Sequence, residues 1–139
     1  MVNVSEKKQE ETAAFFAKEF NFSFDSLHQL VDFFDDLREF SHHLSENHYY
    51  SEAINKKVIA INLDIHLLSL ELPCLELIGC KFYNEAHKAI LAEKKPEIDK
   101  SSFEAFYKQL NATEKKALET NQSLQKLVNE IKIEYGGKT

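Results

Sequence analysis

The apolar pattern of this chain is densest in residues 54–72, which read INKKVIAINLDIHLLSLEL. One set of apolar side chains recurs there at intervals of three and four, the spacing of one face of an α-helix. That set is Ile54, Val58, Ile61, Ile65, Leu68 and Leu72. A second set lies on the opposite side of the same helix and comprises Ile59, Leu63, Leu67 and Leu70. Because a helix that is apolar on two sides needs packing partners on both, we predict a central helix within a multi-helix bundle.

The same stretch also allows a β interpretation. Residues 59–67 alternate large apolar side chains with smaller or polar ones, which is the pattern of a strand. An α+β fold with a hairpin within residues 57–80 is therefore the alternative. A strand of typical length has about five or six residues, however, and this stretch runs for about twenty without a turn signal. Leu also favours helix over strand, so we predict an all-α fold.

Few residues interrupt the helical pattern elsewhere. The 139 residues include three Gly and two Pro, far fewer turn formers than a β-rich fold of this size needs. Pro73 is expected to end the central helix, and we predict five or six helices in a single domain spanning 1–139. Residues 1–4 and 136–139 are expected to fray. The predicted segments are residues 5–20, 26–47, 51–72, 73–94, 101–110 and 113–135.

Composition restricts the class of protein. A net charge of −6, with the lysines spread along the chain, makes nucleic acid a poor partner because phosphate binding requires a basic face. Residues 1–11 lack the apolar core of a signal peptide, so we expect a cytoplasmic protein without membrane insertion. A single arginine against sixteen lysines suggests an AT-rich, microbial genome. No nucleotide-binding motif occurs, and no cofactor is expected.

The region around the central helix carries two further polar features. Cys74 and Cys80 point in different directions on a helix, so we expect reduced, buried thiols rather than a disulfide. Asn62, His66 and Ser69 form a narrow polar strip between the two apolar sides. Buried polar groups must be paired, so this strip is expected to be buried and hydrogen-bonded.

The phenylalanines are concentrated in the N-terminal third. Eight of the eleven fall between Phe15 and Phe40, interleaved with acidic residues. Either these rings form a core between the first two helices, or some of them form an exposed patch that grips a basic or apolar segment of another protein. From that patch and the absence of catalytic motifs we predict a binding protein, of the inhibitor, immunity, chaperone or regulatory adaptor type. The predicted partner-binding residues are Phe15, Phe16, Phe22, Phe24, Phe33, Phe34, Asp35 and Asp36.

A polar cluster in residues 38–48 supports the alternative, an enzyme. Glu39 and His42 have the E-x-x-H spacing that places a carboxylate and an imidazole on one helix face, with Glu46 as a third weak candidate metal ligand. A helix that supplies Glu85 or His87 could complete a mononuclear zinc or iron site. Without such a helix the cluster is a solvated face near a helix C-terminus.

The same cluster contains a second motif. Arg38 and His43 are separated by four residues, a spacing that resembles the R-x4-6-H motif of HEPN-type ribonucleases, which are also small helical bundles. The resemblance implies that Arg38 would hold the scissile phosphate and that His43 would act as the acid or base. The acidic residues around the motif would repel RNA. In that family the motif also lies late in the chain, whereas here it lies early.

Overall fold

The computed structural model describes residues 4–46 and 50–136 of the chain. Four α-helices account for most of these residues, and the last continues into a short π-helical turn. The helices are α1 (Val4–Phe20), α2 (Phe24–Ser45), α3 (Glu52–Leu91) and α4 (Lys100–Ile131), and the turn is Lys132–Gly136. Between α2 and α3 the chain passes through residues outside the described ranges.

The all-α prediction is confirmed. The described ranges contain no strand, and residues 57–80 lie entirely within α3, so the hairpin alternative is wrong. Of the residues predicted to fray, only Val4 and Gly136 are described, at the start of α1 and at the end of the π-helical turn.

The prediction of five or six helices is wrong, because two predicted boundaries lie inside continuous helices. Pro73 lies within α3 although it has no N–H to donate to the carbonyl of Ser69, which costs about 3 kcal/mol in a helix interior. Leu72 and Leu75, on either side of the proline, are buried, and their packing outweighs that local cost. The other predicted boundary, at residues 111–112, lies within α4.

We expect Pro73→Ala to raise the free energy of unfolding by about 1–3 kcal/mol, because alanine restores the missing hydrogen bond to the carbonyl of Ser69. The proline side chain is exposed, so little packing is lost. Urea denaturation followed by circular dichroism measures the change. Cys74→Ala is the matched control, since Cys74 is also exposed on α3 and already has its N–H; its effect should stay below about 0.5 kcal/mol. A loss of stability in Pro73→Ala would contradict this account.

The helix starts show how far capping signals can be read from sequence. Ser51 caps α3 as its position predicts, because its Oγ accepts a hydrogen bond of 3.3 Å from the N–H of Ile54. At the start of α4 the cap is Asp99, whose carboxylate accepts bonds from both the N–H and the hydroxyl of Ser102. Ser101, at which the predicted segment 101–110 begins, lies inside the helix. Asp99, two residues before Ser101, therefore sets the start of α4.

The described helices form two compact units, and three of the helices contribute to both. The first unit comprises Met1–Gln29 and Pro73–Asn111, and the second comprises Leu30–Leu72 and Ala112–Thr139. Each unit combines segments that are distant in the sequence. The single domain over residues 1–139 stays a prediction.

The core of the first unit is aromatic and is centred on Phe103, which is only 1% exposed. Six aromatic rings lie with their centroids between 4.3 and 6.4 Å from that of Phe103, the separations at which aromatic pairs attract beyond their burial. They come from α1, from the connector that follows it, from α3 and from α4 itself. The six are Phe16, Phe20, Phe22, Phe82, Phe106 and Tyr107.

The core of the second unit is mainly aliphatic. It contains the complete first apolar set of α3, whose six members are all buried. Leu30, Phe34 and Leu37 of α2 are also buried in this unit, as are Leu124 and Leu127 of α4. The helical spacing of residues 54–72 therefore predicts the inward face of α3 correctly.

A small polar network connects α2 and α3 in the second unit. Ser41, which is buried, donates to Oδ1 of Asn62 at 2.5 Å, and the amide nitrogen of Asn62 donates to Ser45 Oγ at 2.7 Å. Ser45 in turn donates to the carbonyl of Ser41 at 2.8 Å. Asn62 and Ser69 of the predicted polar strip are half-buried and hydrogen-bonded, whereas His66 is exposed, so the expectation of a buried strip is wrong.

Candidate functional site

The predicted partner-binding phenylalanines of the first unit belong largely to its core. Phe16 and Phe22 are buried, and Phe15 and Phe24 are half-buried. The rings pack edge to face, with centroid separations of 4.9 Å between Phe16 and Phe24 and 5.0 Å between Phe22 and Phe24. Burial removes Phe16 and Phe22 from any surface that a partner could contact in this fold.

The predicted partner-binding residues of the second unit are divided between core and surface. Phe34 is buried and Phe33 is half-buried, while Asp35 and Asp36 are exposed. Arg38 lies against this segment, 3.3 Å from a carboxylate oxygen of Asp35 and with its guanidinium 5.8 Å from the centroid of the Phe34 ring. Phe34 is therefore a core residue whose outer side is covered by Arg38, and the acidic residues beside it are solvated. Binding of a partner by this segment stays a prediction.

The polar cluster of residues 38–48 is a set of exposed pairs along one helix. His42 Nε2 lies 3.1 Å from Glu46, and His43 Nε2 lies 4.0 Å from Glu39, both at the i,i+4 spacing of neighbours on a helix surface. His48 lies outside the described residues. Among the residues that are described, no three His, Cys, Asp or Glu side chains converge as a metal site would require. The described pairs match a solvated helix face, and the enzymatic interpretation stays a prediction.

Glu85 and His87 are the candidate metal ligands that we expected from a further helix. Glu85 and His87 lie in the first unit, whereas Glu39 and His42 lie in the second. Nδ1 of His87 lies 3.0 Å from Oγ1 of Thr12, which already donates to the carbonyl of Lys8. The Thr12 hydroxyl has a single hydrogen, so His87 must be the donor in this contact.

The thiols are also placed differently from the expectation. Cys74 and Cys80 are unpaired and both are exposed, so the prediction of buried thiols is wrong, although no disulfide joins them. Both lie on α3, where the described helices cover only one side.

The most unusual surface of the second unit lies on α3. The second apolar set of this helix, here named the α3 row, consists of Ile59, Leu63, Leu67 and Leu70, which are 68%, 58%, 41% and 58% exposed. Our prediction that both apolar sides of the helix are packed is therefore wrong for this side. The described part of the chain supplies four helices rather than the predicted five or six, and none of them covers the row.

The two edges of α3 beside the α3 row carry different polar groups. Asp64 and Glu71, both half-buried, each follow a leucine of the row and lie on the same edge of the helix as Lys57, which is exposed. Glu71 accepts a hydrogen bond of 3.4 Å from Thr113 and lies 4.0 Å from Nζ of Lys116. The opposite edge carries Asn62 and His66, which are half-buried and exposed. One edge thus has two carboxylates and one lysine, and the other has an amide and an imidazole.

Spacing distinguishes the α3 row from other exposed apolar residues. Single exposed leucines are normal on soluble proteins, and Leu118 of α4 is one of them. The members of the row follow each other at intervals of four, four and three residues, which aligns them along about 17 Å of helix. A contiguous row of this kind is the usual mark of a contact surface rather than of chance exposure.

An open cleft in the first unit is the main alternative as a binding site. It encloses about 710 Å³, and its aromatic floor includes the stacked pair Phe20 and Phe103. Its charged rim mixes signs, with three lysines and two glutamates. No buried polar side-chain atom in the described residues lacks a hydrogen-bond partner, so no buried group is aimed into this cleft to fix a ligand. The rim residues are Lys18, Glu19, Lys100, Glu104 and Lys108.

α3 is also long and apolar enough, by length and composition, to cross a membrane. A third of its most apolar stretch is buried inside the protein, and the core helix of a soluble protein satisfies the same criterion. Comparison with known proteins adds no relative: no family model, no curated protein and no solved structure matches this chain. What the chain binds must therefore be inferred from its own surfaces.

Proposed function

We propose that this protein acts by binding another protein and that the α3 row is its contact surface. The observation that supports this proposal is the exposure of four large aliphatic side chains, 41–68% each, aligned on one helix face. Transferring such a side chain from water to an apolar contact contributes about 1 kcal/mol or more when half of it is exposed. A partner that covers the row therefore gains several such contributions at once.

The occupant that fits this surface is an amphipathic helix of the partner. Apolar residues at intervals of three and four present ridges into which the side chains of a second helix interdigitate. On one edge of the row the two carboxylates of Asp64 and Glu71 outnumber the single lysine, Lys57, so a partner helix with lysine or arginine along the facing edge is favoured electrostatically. This chemistry is consistent with the net charge of −6.

The kind of protein that uses such a surface is an inhibitor, an immunity protein, a chaperone or a regulatory adaptor, working in the cytoplasm. Proteins of these classes act on a partner by binding it, and docking an amphipathic helix onto an apolar surface is one of the recurring modes of such binding. The proposal differs from the prediction made from sequence in the residues that form the contact. The α3 row replaces the phenylalanines of α1, of α2 and of the connector between them, three of which (Phe16, Phe22 and Phe34) are core residues.

A synthetic helix provides a direct test. A fluorescent peptide of three heptads, with leucines at intervals of three and four and lysines beside them, should bind the protein with a Kd of roughly 10–100 μM. Replacing Leu63 and Leu67 together with glutamate should weaken binding at least tenfold, because the row loses apolar area and gains charge. Fluorescence anisotropy measures both affinities.

The matched control for this test is Leu118→Glu, which places the same charge at an exposed leucine of the second unit outside the row. Its affinity for the peptide should equal that of the unmodified protein. A second peptide with glutamates in place of the lysines should bind more weakly than the first. Equal binding by the double variant and by the unmodified protein would exclude the α3 row as the contact surface.

A further inference from the structure

We infer that the π-helical turn Lys132–Gly136, here named the C-terminal latch, closes on the first turn of α3 through the hydroxyl of Tyr135 and opens in the folded protein. Oη of Tyr135 accepts a hydrogen bond of 2.7 Å from the N–H of Ser51, although 84 positions separate the two residues in the sequence. Both residues belong to the second unit. The inference does not depend on the partner proposed for the α3 row.

The start of α3 has only half of a common type of helix cap. In that cap, the oxygen of a Ser or Thr accepts from the N–H three residues later, and a Glu or Gln at that later position accepts from the N–H of the cap residue. Oγ of Ser51 does accept from the N–H of Ile54, at 3.3 Å. Ile54 is apolar, however, so it has no side-chain oxygen to accept the second bond. The N–H of Ser51 is therefore left for a different acceptor, which Tyr135 provides.

Two further features position Tyr135. The chain widens from α-helix to π-helix after Ile131, which turns Tyr135 away from the direction that a continued α-helix would give it. Its ring also lies beside that of Tyr50, with a centroid separation of 6.1 Å. The carbonyl of Tyr50 accepts a hydrogen bond of 3.2 Å from the side-chain amide of Asn55. The C-terminal latch thus meets a segment, residues 50–55, that has hydrogen bonds of its own.

The C-terminal latch is held weakly enough to open. None of its residues is buried, and Ile133 and Tyr135 are 82% and 42% exposed. A single exposed hydrogen bond shifts an equilibrium by only about two- to tenfold, so the turn is detached for a measurable share of the time. Segments of such low local stability are the ones that move in conformational changes. Ser51 lies about two helical turns before Ile59, so opening loosens the end of α3 that leads into the α3 row.

Amide hydrogen exchange measured residue by residue by NMR tests the inference. Tyr135→Phe removes the hydroxyl and keeps the ring. In this variant the amides of Ser51, Ile54 and Asn55 should each exchange about two- to tenfold faster than in the unmodified chain. Asn55 is the most informative of the three, because its N–H donates to the carbonyl of Ser51 at 2.9 Å and not to Tyr135. Faster exchange there means that the whole cap loosens.

The matched control is Tyr50→Phe, which removes a hydroxyl from the other ring of the pair and leaves the bond between Tyr135 and Ser51 in place. Its exchange rates at the same three amides should equal those of the unmodified chain. The amide of Ile65, which is buried in the middle of α3, should keep its rate in both variants. That result would show that the change is local and that each variant is folded.

Three outcomes would overturn the inference. Unchanged rates at Ile54 and Asn55 in Tyr135→Phe would mean that the hydroxyl protects at most a single N–H. Equal acceleration in Tyr135→Phe and Tyr50→Phe would assign the effect to the contact between the rings. Protection of the Ser51 amide far above tenfold in the unmodified chain would mean that the C-terminal latch does not open by itself. Peptide binding by the α3 row is measured separately, so the proposed function stands or fails independently of these results.

Discussion

Replacing Phe103 with alanine is expected to lower the free energy of unfolding by about 3–5 kcal/mol. Phe103 is 1% exposed, and six aromatic rings surround it within 6.4 Å. The substitution removes the apolar area of the ring and also the edge-to-face and stacked contacts, each of which contributes about 0.5–1.5 kcal/mol beyond burial. The neighbouring rings are large and stiff, so they cannot collapse into the cavity. A loss of this size is a large part of the roughly 5–15 kcal/mol that stabilises a domain.

Chemical denaturation monitored by circular dichroism measures this loss, and Phe40→Ala provides the control. Phe40 is the same residue type but is 42% exposed, so its replacement should cost less than about 1 kcal/mol. Phe103 lies in the first unit, so an unfolding curve of Phe103→Ala with two separate steps would show that the two units unfold separately. Equal losses for the two variants would contradict the aromatic core described here.

Two neighbouring leucines of α3 should differ sharply in their contribution to stability. Leu68 is 0% exposed and belongs to the inward face, so Leu68→Ala is expected to cost about 3–5 kcal/mol of the free energy of unfolding. Leu67 belongs to the α3 row and is 41% exposed, so Leu67→Ala should cost less than about 1 kcal/mol. The residue type, the helix and the substitution are the same, so only the face differs.

The comparison of these two variants should be made at low protein concentration, so that association through the exposed row does not add to the measured stability. The difference between the midpoints of urea unfolding, at equal slope, gives the difference in free energy. Similar costs for Leu67→Ala and Leu68→Ala would mean that the row is packed within the chain. The surface on which the proposed function depends would then not exist.

The partner-binding residues show where reasoning from sequence stops. Phe15-Phe16 and Phe33-Phe34 are adjacent pairs that cannot both turn inward on one narrow stripe, and this much is visible in the sequence. The structure buries Phe16 and Phe34 and leaves Phe15 and Phe33 half-buried. Which member of each pair is buried depends on the neighbouring helices, and no local pattern contains that information.

Helix boundaries also depend partly on local sequence signals and partly on tertiary packing. Pro73 and residues 111–112 carry local signals for a helix end, and α3 and α4 continue through both. A cap or a proline changes the stability of a helix by about 1–3 kcal/mol. The burial of two or three adjacent apolar side chains contributes more than that. Local signals therefore located most helix starts within a few residues but did not give the number of helices.

Residues 54–72 predict, without any reference to the rest of the chain, a helix with two apolar sides, one of them formed by Ile54, Val58, Ile61, Ile65, Leu68 and Leu72. The spacing of apolar residues predicts this because the number of residues per helical turn is a property of the local backbone. Only the tertiary structure decides that Ile59, Leu63, Leu67 and Leu70 meet solvent while the other side meets the core. Burial depends on how many helices are available to cover a face, and that is a property of the whole assembly of helices rather than of the segment that carries the face.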